Sequence, residues 1–259
     1  MNKIRDAFNN KKAFIPFISV GDPDIKTSEN IIYALEEAGC DLIELGIPFS
    51  DPTAEGPVIM RASERALLNK ITSDDVFELV KKVRKTCQIP LAIMTYANVI
   101  YSYGIEEFAK KAHEVKIDAL ILADVPFEEK DEFEKIFLSY DIYLISMIAP
   151  TSKDRVEMIA KNAKGFLYCV SSLGVTGVRN DFSDNLESLI KTVKKVNPDL
   201  PCAIGFAISS SKQARRFKKI SDGVIIGSEI VKIIEKYGRN SSTEVKKFAI
   251  NIENSISNL

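Results

Sequence analysis

Short apolar runs rich in β-branched residues recur along the chain, and each is followed by a segment with helical periodicity. The runs lie at residues 14–20, 41–45, 91–94, 119–122, 143–147, 166–170, 202–204 and 223–226. They are brief and almost continuously apolar, as parallel strands covered on both faces should be. The segments between them repeat every 3.6 residues. Val76, Leu79, Val80 and Val83 stand at i, i+3, i+4 and i+7, and so do Ile105, Phe108, Ala109 and Ala112. Leu186, Leu189, Ile190 and Val193 follow the same spacing, as do Ile230, Ile233, Ile234 and Tyr237. Each set places one apolar stripe against a sheet. Thr72 with Asp75 reads as a capping box opening one helix, and Asn197-Pro198-Asp199 closes another.

About eight β–α units of roughly 30 residues each are what a closed barrel requires. The expected fold is α/β: one (β/α)8 barrel domain over residues 1–259, with an extra N-terminal helix and a short helix after strand eight. An open doubly wound sheet is the alternative. No linker, low-complexity tract or internal composition break divides the chain.

Composition narrows the chemistry. Lys plus Arg is 35 and Asp plus Glu 36, a net charge of −1, so no basic field attracts nucleic acid or an anionic membrane. A single His, His113, leaves no His cluster for a metal, and it stands just off an apolar stripe as a surface residue. Cys40, Cys87, Cys169 and Cys202 show no metal-ligand rhythm and read as free thiols in a reducing cytoplasm. No apolar run approaches the length of a signal core or a membrane span. Lys81-Lys82 and Lys194-Lys195 read as solvated helix faces.

In a barrel the loops after the strands carry function. The second run ends in Glu44, a poor strand residue that is costly to bury unpaired. It is either a carboxyl of raised pKa suited to acid–base work near neutrality, or one paired with Lys or Arg at the barrel mouth. The stretch 46–57 that follows holds three prolines and two glycines, which forbid regular structure, and it carries Asp51, Pro52 and Glu55. After strand six comes a run of small and hydroxyl residues with two glycines, 171–180. Gly205-Phe206-Ala207 follows strand seven, and Gly227-Ser228 follows strand eight directly before a helix. Loops after strands seven and eight plus a helix N-terminus make the usual anion site of a barrel, held by backbone donors.

Taken together these motifs resemble the tryptophan synthase alpha subunit. The resemblance rests on Glu44-Leu45-Gly46-Ile47-Pro48-Phe49-Ser50-Asp51-Pro52, Ala123-Asp124-Val125-Pro126 and Gly174-Val175-Thr176-Gly177. Met94-Thr95-Tyr96-Ala97-Asn98 and Phe14-Ile15-Pro16-Phe17 with Gly21-Asp22-Pro23 extend it in chain order. It implies the barrel fold and retro-aldol cleavage of indole-3-glycerol phosphate to indole and glyceraldehyde 3-phosphate. It implies that Glu44 is the acid–base residue, Glu55 the carboxylate at the indole N–H, and Tyr168 an active-site tyrosine. Phe17, Ile59, Tyr96, Ile121, Met147 and Phe206 would form the indole pocket, with Thr176 on a lid. Gly177, Gly205, Ala207, Gly227 and Ser228 would hold the phosphate. Asp51 and Pro52 would face a beta subunit in an α₂β₂ complex. That partner would carry pyridoxal phosphate and receive the indole, leaving this chain without a cofactor or metal of its own.

The sequence departs from the family pattern in three places. Glu55 stands where the family has Asp, Ala207 where it has Gly, and Ser172-Leu173 where its lid carries Arg. Glu55 and Ala207 motivate an alternative: an alpha-like partner of weak lyase activity that mainly activates the beta subunit. A sugar-phosphate isomerase or epimerase is a further alternative, against which the apolar pocket residues stand.

Overall fold

The computed structural model describes residues 3–9, 11–152, 154–170, 181–205 and 210–257. Its strands are β1 (Ala13–Ser19), β2 (Ile43–Gly46), β3 (Leu91–Thr95), β4 (Ala119–Leu122), β5 (Tyr143–Leu144), β6 (Ser146–Ile148), β7 (Leu167–Val170), β8 (Cys202–Gly205) and β9 (Gly223–Ile226). All pair in parallel, in the order β5-β4-β3-β2-β1-β9-β8-β7-β6. The two ends of that order, β5 and β6, are consecutive in the chain and separated only by Ile145, whose N–H donates to Leu120 O at 2.9 Å. One segment therefore serves both neighbours and closes the ring. The expected fifth strand, 143–147, is thus present as two short pieces: the first half bonds β4 and the second half β7. With that segment counted once, the sheet is the eight-membered wall of a (β/α)8 barrel.

The strand side chains divide by alternation. Phe14, Ile18, Ile43, Leu45, Ile93 and Leu120 point outward and pack under the helices. Ile15, Phe17, Ala92, Met94, Ile121 and Tyr168 point into the lumen. A period of two, applied to strands buried on both faces, yields both layers from one continuous apolar run.

The four amphipathic stripes bury as their spacing requires, with one exception. Tyr237 is 41% exposed, because Gly238, at φ +53°, ends that helix and turns the chain away. The capping box is complete: Thr72 N–H donates to Asp75 Oδ2 at 2.8 Å, and Asp75 N–H to Thr72 Oγ1 at 3.3 Å. The N-terminal helix, Ile4–Phe8, is a short 3-10 element that buries Ile4 and Ala7 in the lumen cluster and sets Phe8 5.4 Å from the Phe166 ring. The helix after the last strand, Ser228–Tyr237, is followed by the terminal helix Ser241–Ser257.

A repeated device braces the end of the barrel opposite the mouth. Asp41, Asp118 and Asp222 each stand just before a strand. Each accepts the N–H of the first or second residue of the preceding barrel strand: Phe14 at 2.8 Å, Leu91 at 3.0 Å and Cys202 at 2.9 Å. Each returns its own N–H to the carbonyl of that same residue, at 3.0, 3.0 and 2.8 Å. A hydrogen bond to a charged acceptor contributes roughly 1.5–3 kcal/mol. Lys11 pairs with Asp41, Arg84 with Asp118 at 2.9 Å, and Lys194 with Asp222 at 2.7 Å. Lys194 is therefore part of this brace, a correction to its reading as a solvated lysine. His113 is exposed, as expected, with Nδ1 2.7 Å from Tyr140 O. The four cysteines are free and buried. Among the described residues no helix is long and apolar enough to cross a membrane.

Candidate active site

Glu44 lies in the middle of β2, in register with Phe17 on one side and Ala92 on the other, both lumen residues. It is fully buried, and among the described residues neither carboxylate oxygen has a hydrogen-bond partner. Among the described residues no Lys or Arg meets it, so the alternative of a mouth ion pair is not formed by them. Removal from water disfavours the charged form and pushes its pKa up to about 8. At neutral pH this carboxyl is largely protonated.

Glu55 reaches the same region from the loop after β2. Tight turns shape this loop: Thr53 N–H donates to Asp51 O at 2.9 Å, and Glu55 N–H to Pro52 O at 3.1 Å. The Glu55 residue is half-buried, yet its Oε2 is wholly buried and unpartnered. Burial raises its pKa to about 7, against a hydrogen bond from Tyr96 that lowers it. Tyr96 follows β3 and is 2% exposed. Its hydroxyl also accepts from Ala54 N–H at 3.3 Å, and its ring stacks on Phe49 at 4.9 Å. Phe49 thus stands beside the candidate site, and the sequence reading passed over it. Its signal was an aromatic between Pro48 and Pro52 in a loop with no core of its own.

Tyr168, on β7, is buried, and its hydroxyl pKa is raised by burial first and then by the Glu44 and Glu55 carboxyls, which places all three within electrostatic reach. Its ring crosses the end of β8, where a Cβ added to Gly205 would sit 2.5 Å from the Tyr168 hydroxyl. Phe17 is arranged in the same way. A Cβ on Gly46 would lie 2.6 Å from its ring, and one on Gly227 3.1 Å from it. Glycine at these strand ends lets the two rings pack against backbone.

Ile121 is fully buried in the lumen cluster, and Ile59 and Met147 pack against it half-buried. Beside Met147 a cavity of about 510 Å³ opens between the ends of β4 and β6, bounded by Ala123, Phe127, Ile145, Ile148 and Val170. Gly205 ends β8, and Gly227 immediately precedes the helix beginning at Ser228, so both sit at the carboxyl ends of neighbouring strands. The first-turn N–H groups of that helix have no intrahelical acceptor. Its one acidic first-turn residue, Glu229, is paired with Lys232 at 2.5 Å. Asp51 is exposed and Pro52 buried beneath it. Thr176, Gly177, Phe206 and Ala207, together with Ser172 and Leu173, lie outside the described residues.

The structure thus gathers Glu44, Tyr168 and Phe17 from three strands, Tyr96 from just after a fourth and Glu55 from a loop, at one end of a barrel. The model of the tryptophan synthase alpha chain family matches residues 4–258. The chain belongs to that family. The family's protein from Thermoanaerobacter sp. (strain X514) is 46% identical over 261 residues, covering 98% of this chain and 99% of its own. That from Caldanaerobacter subterraneus subsp. tengcongensis is 44% identical over 259 residues, covering 97% and 98%. Among solved structures, tryptophan synthase subunit alpha from Legionella pneumophila str. Paris superposes with a TM-score of 0.90 at 35% identity, over 100% of both chains. A chain of the aminoacrylate-bound tryptophan synthase from M. tuberculosis gives 0.87 at 27% identity, over 99% of this chain and all of its own. Family membership accounts for the shared barrel and for the motifs along β1 to β4.

Proposed function

We propose that this alpha chain cleaves indole-3-glycerol phosphate to indole and glyceraldehyde 3-phosphate, with Glu44 as the acid–base residue. The observation that carries this reading is the Glu44 carboxyl itself, wholly buried in the lumen with two oxygens unpartnered among the described residues and a pKa near neutrality. Such a group both gives and takes a proton at pH 7.

The proton balance closes on two carboxyls. Protonated Glu44 delivers its proton to indole C3 while the Glu55 carboxylate accepts the indole N–H, giving the indolenine tautomer. The Glu44 carboxylate then takes the proton of the glycerol hydroxyl next to the ring. The C–C bond breaks and the hydroxyl carbon leaves as the aldehyde, while the electron pair returns through the ring to the indole nitrogen, which takes its proton back from Glu55. Glu44 ends protonated, as it began. Glu55, with a pKa of about 7, is available as a carboxylate for this duty, and the Tyr96 hydroxyl stabilises its charge.

The apolar walls from Phe17, Ile59, Tyr96, Ile121 and Met147 suit an indole ring. The backbone donors at Gly205, Gly227 and Ser228 suit the phosphate at the other end. No fixed cation is required there, in keeping with the near-neutral net charge. Asp51, exposed on the loop that carries Glu55, is the proposed contact with a beta subunit. That partner would supply pyridoxal phosphate chemistry and consume the indole.

The test is cleavage of indole-3-glycerol phosphate by the purified chain, with and without a beta subunit, against Glu44→Gln. Turnover that disappears in Glu44→Gln is the expected result. Beta-subunit activation without any cleavage would support the alternative of a weakly catalytic partner. The hydrogen bond from Tyr96 to the Glu55 carboxylate favours the catalytic reading.

A further inference from the structure

Three segments that form the mouth are tied together at a distance from it. The helix Pro57–Leu68 starts two residues after Glu55, the helix Ser228–Tyr237 starts at Ser228, and the turn 21–24 continues the strand of Phe17. Arg65, late in the first helix, grips the turn with a two-pronged fork. Its Nε donates to Asp22 Oδ1 at 2.7 Å and its Nη2 to Asp22 Oδ2 at 2.8 Å. Its remaining nitrogen, Nη1, donates to Glu235 Oε1 on the other helix at 2.9 Å. Arg61 completes the network, donating to Glu235 through Nε at 2.8 Å and Nη2 at 3.0 Å. Two positive and two negative side chains balance, and Asp22 is only 1% exposed. Asn69 adds a bond to Pro23 O at 2.5 Å, and Arg239 adds one to Asp24 at 2.8 Å.

Nothing in this network belongs to the proposed catalytic set. Helices are stiff and rise about 1.5 Å per residue, so pinning them near their carboxyl ends sets where their amino ends lie. One amino end carries Glu55 and the other is the proposed anion site. A substrate with indole at one end and phosphate at the other has a fixed length. An error of about 1 Å in such a span can cost on the order of 10²-fold in rate.

We propose that Arg65 is a positioning residue: by joining Asp22 to Glu235 it sets the separation between the Glu55 carboxylate and the Gly227-Ser228 anion site. The proposal rests on the reading of the substrate given above. Arg is required because three separate N–H groups meet two carboxylates, which a lysine point charge cannot reproduce.

The experiment compares wild type, Arg65→Gln, Arg65→Lys and Glu235→Gln in the full-length chain. It measures kcat and KM for indole-3-glycerol phosphate, and the inhibition constants of inorganic phosphate and of indole. Arg65→Gln is expected to raise KM about tenfold and to lower kcat, while each fragment still inhibits within about twofold of wild type. Each half-site is intact in that variant and only the span between them is lost. Glu235→Gln, which leaves the Asp22 fork in place, is expected to raise KM several-fold with kcat within about twofold. Arg65→Lys is expected to fall between wild type and Arg65→Gln. General loosening would weaken the fragments in step with the substrate, and that outcome overturns the proposal. So does a folded Arg65→Gln with wild-type constants. Should Arg65→Gln not fold, the same comparison in Arg65→Lys and Glu235→Gln decides. Absence of cleavage by wild type would instead overturn the functional reading.

Discussion

The Tyr168 side chain packs against Gly205, so close that a methyl group on that glycine would fall 2.5 Å from the hydroxyl and 2.6 Å from a ring carbon. The backbone of β8 and the ring on β7 leave no slack between them. Gly205→Ala is expected to push Tyr168 toward Glu44 and Glu55. The cost is about 1–3 kcal/mol of stability, with a loss of cleavage of one to two orders of magnitude. Urea unfolding and steady-state kinetics on the one variant check both numbers. Normal turnover would mean that the ring can move aside freely.

Glu44 makes stability depend on pH. The folded-state pKa of about 8 stands above the ordinary carboxylate value, so between the two the folded chain holds a proton that the unfolded chain has released. The unfolded state binds fewer protons, and stability falls as pH rises. The penalty is absent below about pH 4, grows through neutrality and is complete above about pH 8, at on the order of a few kcal/mol. Glu55, raised to about 7, adds to it in the same direction over a narrower range. Glu44→Gln is expected to abolish cleavage and to flatten this slope. Urea midpoints of both proteins at pH 5 and pH 8 are the measurement, and equal slopes would contradict the burial argument.

A hydrogen bond from Tyr96 holds the Glu55 pKa down against burial. Tyr96→Phe removes that donor and leaves burial unopposed, so the pKa of Glu55 rises. The acidic limb of the kcat profile should move to higher pH, with little loss of activity well above it. An unchanged limb would remove Glu55 from the rate-determining ionisation.

Glu55→Asp tests the departure from the family pattern directly. The family residue is expected to retain or improve the rate. A large loss would show that this loop is built around the longer side chain, through Tyr96 and the Ala54 N–H that its hydroxyl accepts.

The bracing aspartates should affect stability and leave chemistry alone, since they lie at the end of the barrel away from Glu44. Asp41→Ala strands the buried Phe14 N–H and removes the Lys11 pair. A loss of about 2–3 kcal/mol in urea unfolding is expected, with kcat and KM unchanged. A shift in kcat would mean that strain at one end of β1 reaches Phe17 at the other.

Much of this was legible along the chain. Local rules sufficed where neighbours in sequence are neighbours in space. The Thr72–Asp75 capping box and the stop at Asn197-Pro198 formed as read, and so did the stripes of Val76 and Leu186. They failed where a partner comes from elsewhere. Lys194 reads as solvated from its own helix, yet Asp222 lies beside it. Tyr237 continues a stripe by spacing, but the chain turns at Gly238. Phe49 is an ordinary loop aromatic until Tyr96 arrives beneath it. Arg65 looks like any surface arginine on a helix, and only folding brings Asp22 and Glu235 to its three nitrogens.

By itself the sequence determined the barrel, its apolar layers and the strand ends at which polar residues collect. Periodicity and backbone preference are local, and they survive without knowledge of what packs where. Tertiary structure decided the ionisation of those residues. Whether Glu44 is an ion pair or a lone neutral acid depends on which side chains from other strands face it. Burial among Phe17, Ala92 and Tyr168, with no cation in reach among the described residues, is a property of the closed ring alone.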